Sequence, residues 1–186
     1  SKEPPRYVQT QWTAEDGLPV NSINDIAQTE NGYLWLATFD GLVRFDGRNF
    51  KVYRSGQYEG LPSSRILKIL VRPDGIWMHT ESWHVVRFRD GAFATVAEEV
   101  DLLYEGTGGR LWAGTNDGIL AYQNDTFRPM APTEMRGDVK TVLTEEDGTL
   151  WAGTTDRGLY RRTPDGSVQQ LTQEDGLGGQ HVWTLA

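Results

Sequence analysis

Four times the chain writes the same phrase: a turn dipeptide, an apolar residue, Trp, two further residues and Thr. The copies are Asn31-Gly32-Tyr33-Leu34-Trp35-Leu36-Ala37-Thr38, Asp74-Gly75-Ile76-Trp77-Met78-His79-Thr80, Gly108-Gly109-Arg110-Leu111-Trp112-Ala113-Gly114-Thr115 and Asp147-Gly148-Thr149-Leu150-Trp151-Ala152-Gly153-Thr154. The four Trp residues follow one another at 42, 35 and 39 residues. Self-similarity with a period near 40 residues is the signature of an array of blades or solenoid units. A single active site does not repeat itself this way, so the phrase constrains the fold first and the function through it.

The residues between the Trp phrases specify the unit. Ile23 to Thr29 alternates loosely, Asn31-Gly32 turns the chain, and Leu34 to Thr38 returns as a second strand. Gly41 to Phe45 reads as a third strand, Asp46-Gly47 as a turn and Phe50 to Tyr53 as a fourth strand. Four short antiparallel strands per unit make a propeller blade. The other units share the frame, with strand openers Ile66, Val100 and Val139 after Ile23, and a fifth opener at Val182. The expected architecture is therefore all-β: about four blades of four antiparallel strands, with orphan strands at both ends of a partial propeller. The expected boundaries are an outer strand 7–13, blades at 18–54, 61–97, 99–130 and 137–172, and the start of a fifth blade at 177–186. Two middle strands are missing from that count, which reads as a fragment of a longer chain or as closure by a partner.

Composition supports one buried, turn-rich core. The chain has 186 residues, 38% hydrophobic and 11% aromatic, with 21 Gly and 7 Trp, which suits tight turns between strands carrying large rings. A formal charge of −8 argues against nucleic acid and against adsorption to anionic membranes, both of which need clustered Lys and Arg. No apolar run is long enough to span a bilayer, so no membrane contact is expected within these residues. The absence of Cys removes disulfides and thiol chemistry and fits a periplasmic or a cytosolic protein equally. Ser1 to Pro5 is no signal peptide, and reads as the start left after one was removed or as a cut in a longer chain.

The combined pattern Asp-Gly-Leu-Pro, Ile, then Asn-Gly-x-Leu-Trp-x-x-Thr-x-x-Gly-Leu, at Asp16 to Leu42, resembles the two-component regulator propeller repeat. The resemblance extends over Tyr7 to Ala186. It implies the periplasmic sensor region of bacterial histidine kinases, hybrid two-component systems or diguanylate cyclases, built as seven-bladed propellers, with this chain at the N-terminal end and the output domain beyond it. It implies no enzymatic activity and no cofactor in these residues, and it carries over no ligand residues, because the family has no fixed ligand motif.

Site candidates are therefore sought where the repeat is not structural. Trp35, Trp77, Trp112 and Trp151 share one register and read as packing wedges between sheets. Thr38, Thr80, Thr115 and Thr154 read as strand residues whose hydroxyls satisfy the following turn. The residue before each inner strand falls at the axial mouth, which gives Ser22, Arg65, Glu99, Asp138 and His181 as ligand-binding candidates, with mutual neutralisation in a wet channel as the other reading. The second unit departs from its siblings: His79, Glu81, Trp83 and His84 stand where the others carry small residues and Gly. This divergent loop is the second ligand-binding candidate.

The expected function is a non-enzymatic sensing or interaction module binding an unknown small molecule or glycan, with self-association through open edges as a further option. Two rivals stand beside it. One is a propeller lyase or hydrolase with a metal near His79 and His84, the other a pure assembly scaffold.

Overall fold

The computed structural model describes residues 8–130 and 135–185. Its strands are β1 (Ile23–Gln28), β2 (Leu34–Thr38), β3 (Gly41–Phe45), β4 (Phe50–Tyr53), β5 (Ile66–Arg72), β6 (Gly75–Thr80), β7 (Val85–Arg89), β8 (Ala92–Ala97), β9 (Leu102–Glu105), β10 (Leu111–Thr115), β11 (Gly118–Gln123), β12 (Thr126–Pro129), β13 (Val139–Thr144), β14 (Leu150–Thr154), β15 (Leu159–Arg162) and β16 (Val168–Leu171). They form four four-stranded antiparallel sheets, each made of four consecutive strands in simple meander order. Consecutive blades meet chiefly through their inner strands, β1 and β2 lying on β5, and β9 and β10 on β13. The four sheets form an open arc, as expected of a partial propeller.

The Trp phrase acts as the inter-blade wedge. Trp35 lies 5.4 Å from Phe88 of the second blade, and Trp77 packs edge-on against Tyr122 of the third at 4.7 Å. Trp112 is buried in one core cluster with Val139, Val142 and Ala152 of the fourth blade. Trp151 is only partly buried, because among the described residues no fifth sheet covers it.

Each Thr of the phrase closes its turn. Thr38 Oγ1 donates to the Gly41 carbonyl at 2.8 Å, Thr115 Oγ1 to Gly118 at 3.1 Å and Thr154 Oγ1 to Gly158 at 2.9 Å. Gly41 is required by two constraints together: its φ is +129°, and a Cβ would stand 2.5 Å from the Tyr53 carbonyl oxygen.

The segments expected as orphan strands differ from expectation. Residues 8–13 and 181–185 lie outside strands, and Tyr7 and Ala186 fall outside the described residues. An extended segment becomes a strand only by pairing, and neither segment has a ladder partner among the described residues. Both are nevertheless anchored. The Trp12 ring packs edge-on against Phe45 at 4.9 Å, and Val182 N donates to the Thr154 carbonyl at 2.8 Å. The connectors beside them are copies: Thr13 and Thr172 each cap a single 3-10 turn ending at Asp16 and Asp175, in a reciprocal capping box.

Candidate functional site

A cleft lined by polar and charged side chains lies where the second, third and fourth blades meet. Trp83, Glu99, Asp101, Asn116, Asp138 and Lys140 line a cavity of about 350 Å³. This brings together two axial-mouth candidates, Glu99 and Asp138, with Trp83 of the divergent loop. Asp101, Asn116 and Lys140 join them without having been singled out in the sequence. Asp101 stands one residue after the opener Val100, and Asn116 sits in the turn after β10. Lys140 lies at an irregularity in the β13–β14 register between Val139 and Thr141, which no periodicity announces.

The backbone fixes the aromatic element of this cleft. The turn between β6 and β7 is held by Thr80 N donating to the His84 carbonyl and Trp83 N donating to Thr80, both at 3.0 Å. It places Trp83 at φ +59°, a left-handed conformation that costs a bulky residue about 1–2 kcal/mol. Val100 N then donates to the Trp83 carbonyl at 2.9 Å, tying the turn to the third blade. Trp83 is 61% exposed.

The charges at the floor are partly matched. Lys140 Nζ lies 2.7 Å from Asp138 Oδ1 and 3.4 Å from Asp101 Oδ1. Burial works against its ammonium, but Asp138 and Asp101 outweigh that and hold its pKa above the ordinary lysine value. Asp138 also accepts from Thr155 Oγ1 at 2.9 Å. Three carboxylates against one ammonium leave the cleft acidic, with a ring face and an amide beside them.

The remaining candidates lie elsewhere. Arg65 forms an ion pair with Glu81, joining one axial candidate to one loop candidate, and its guanidinium stacks 4.2 Å from the centroid of the Phe39 ring. Ser22 and His181 are exposed and are not among the residues lining the cleft. His79 is buried, and its Nε2 donates to the Val100 carbonyl at 2.8 Å. Burial pushes its pKa below the ordinary value, against the hydrogen bond to Val100, so the ring is neutral at pH 7. His84 Nδ1 pairs with Ser82 Oγ at 3.0 Å.

His79, Glu81 and His84 are thus each engaged with a different partner. Among the described residues no group of three or more His, Asp or Glu side chains could hold a metal ion.

Four-stranded blades wedged by Trp define a β-propeller segment. Residues 17–40 match the family described as "Two component regulator propeller". A 49-residue stretch is 47% identical to Histidine kinase P4 of Formosa agariphila, covering 26% of this chain and 4% of the kinase. The extracellular domain assigned to the hybrid two component system BT3049 of B. thetaiotaomicron superposes with a TM-score of 0.69 at 18% identity, over 94% of this chain and 25% of that one. That of the one component system BT4673 from the same organism gives 0.64 at 23% identity, over 85% of this chain and 24% of that one. The chain thus spans about a quarter of these structures and a small fraction of the kinase. The first blade carries a two-component regulator propeller repeat, and the fold is that of these extracellular propeller domains.

Proposed function

We propose that the chain is a non-enzymatic sensing module, the N-terminal part of the periplasmic or extracellular sensor region of a bacterial signalling receptor, and that it binds a small molecule or glycan at the Trp83 mouth. The repeat in the first blade and the likeness to a histidine kinase support the signalling context. The observation that carries the binding reading is Trp83: a large ring held exposed, in a disfavoured backbone conformation, over a polar cavity. A flat ring covers the apolar face of a sugar or similar molecule, while carboxylates and an amide take its hydroxyls. Stored backbone strain of this kind persists where the surroundings enforce it, and clusters at ligand sites.

Binding would act by population shift. A ligand touching the second, third and fourth blades together favours one packing of those blades over another, and only that difference in affinity can be passed on.

Calorimetric titration with a panel of neutral oligosaccharides tests this reading. The expected result is saturable binding of at least one member, weakened about tenfold or more in Glu99→Gln and Asp138→Asn. Binding that is indifferent to both substitutions would place the ligand elsewhere and overturn the assignment of the mouth.

A further inference from the structure

The cleft at Trp83 carries a charge imbalance that selects among ligands. Two of its carboxylates share one cation: Lys140 Nζ lies 2.7 Å from Asp138 Oδ1 and 3.4 Å from Asp101 Oδ1, and all three side chains are mostly buried, between 23% and 32% exposed. That ammonium is therefore already engaged, and one negative charge is left over at the floor. Glu99 adds a second. Its side chain lines the same cavity and makes no hydrogen bond or ion pair among the described residues.

The backbone holds Glu99 beside Trp83. Among the described residues five that are not Gly have a left-handed φ. Asp90, Asn124 and Asp125 sit in the turns joining β7 to β8 and β11 to β12, where a short polar side chain tolerates that conformation. The other two are Trp83 at φ +59° and Glu99 at φ +58°, and both line this cleft. Val100, the residue after Glu99, is clamped at both of its backbone groups. Its N–H donates to the Trp83 carbonyl at 2.9 Å, and its carbonyl accepts from His79 Nε2 at 2.8 Å. The hairpin of the second blade thus fixes where the ring and the unpaired carboxylate start from, side by side at one cavity.

The chemistry follows from that pairing. An anionic ligand would face three carboxylates, with the one ammonium already held by two of them. A neutral sugar would cover the ring and leave the excess charge unanswered. A protonated amine answers both, because a cation over an indole face is attracted by the ring quadrupole and bonds strongly to a free carboxylate. Hydroxyls on the same molecule suit the amide of Asn116, which both donates and accepts.

We propose, on the reading that the Trp83 mouth is the binding site, that its ligand is an amino sugar whose ammonium lies between the Trp83 ring and Glu99.

The test is a calorimetric comparison of the β-1,4-linked glucosamine trimer with cellotriose, which carries a hydroxyl in place of each amine, at about pH 6, where the amines are protonated and the carboxylates ionised. The expected result is about tenfold tighter binding of the glucosamine trimer, the gap narrowing as NaCl is raised to about 0.5 M and falling to about threefold or less in Glu99→Gln. Glu99 is exposed, so the substitution leaves the fold in place. Cellotriose binding as tightly as the glucosamine trimer overturns the amino-sugar assignment while leaving the mouth as the site. No binding of the glucosamine trimer also overturns it. A preference for the trimer that survives both Glu99→Gln and Asp138→Asn unchanged reflects general attraction to an acidic chain, and overturns the assignment and the mouth together.

Discussion

His79 Nε2 donates to the Val100 carbonyl 2.8 Å away, across the boundary between the second and third blades. The same boundary recurs with no side chain in it. A Cβ on Gly114 would lie 2.8 Å from the Val139 carbonyl oxygen, and one on Gly153 would lie 2.8 Å from that of Val182. The residue two after the wedge Trp is therefore where the next blade's opening residue presents its carbonyl. Two blades meet that carbonyl with a Gly, and the second blade meets it with an imidazole.

Because His79 is buried and neutral, folding should weaken in mild acid. Burial lowers its native pKa, with Lys68 adding to that and the Val100 bond and Asp101 opposing it. The unfolded chain takes up a proton near pH 6.5 while the native chain resists. The contribution is thus complete above about pH 6.5 and declines as pH falls towards the lowered native value, by at most about 1.4 kcal/mol per pH unit. Urea unfolding of the wild type and His79→Gln from pH 7.5 to about 5 checks this. Gln keeps a donor for Val100, and its stability should be flatter across the window.

The wedge tryptophans should differ in worth according to whether a neighbouring blade covers them. Trp77 is fully buried against Tyr122 and Phe127, so Trp77→Ala should cost about 3–5 kcal/mol. Trp151 is only partly buried, with Arg161 5.5 Å from its ring centroid, and its loss should cost clearly less. Denaturant midpoints of the two variants decide the order.

Thr154 is fully buried, and its hydroxyl both donates to the Gly158 carbonyl and accepts from Arg157 N, each at 2.9 Å. Thr154→Val keeps the shape and removes both bonds, which should cost about 1–3 kcal/mol, chiefly through the Arg157 N–H left without its acceptor, while the Gly158 carbonyl keeps its bond from Thr154 N. Thermal unfolding against Thr154→Ser, which retains the hydroxyl, separates the hydrogen bonds from the methyl contact.

Much of the fold is legible in the sequence because its signal repeats. Trp35, Trp77, Trp112 and Trp151 fix one register, and the Thr after each names the turn it closes. The divergence of the second unit is equally visible, but not its meaning: His79 and Trp83 lie four residues apart, yet one is buried as a blade-to-blade bond and the other is exposed at the mouth. Which of them faces solvent depends on the left-handed turn at Trp83 and on the position of Val100, and neither is encoded locally. Lys140 was missed for a related reason, since the irregular register at the start of β13 breaks the alternation that would have assigned its face.

The most direct test of the mouth assignment is Trp83→Gly, measured for stability and for oligosaccharide binding in the same preparation. Gly adopts φ +59° without penalty, so removing the ring should raise stability by about 0.5–1 kcal/mol while abolishing saturable binding. A variant that is more stable and still binds with wild-type affinity would contradict the account.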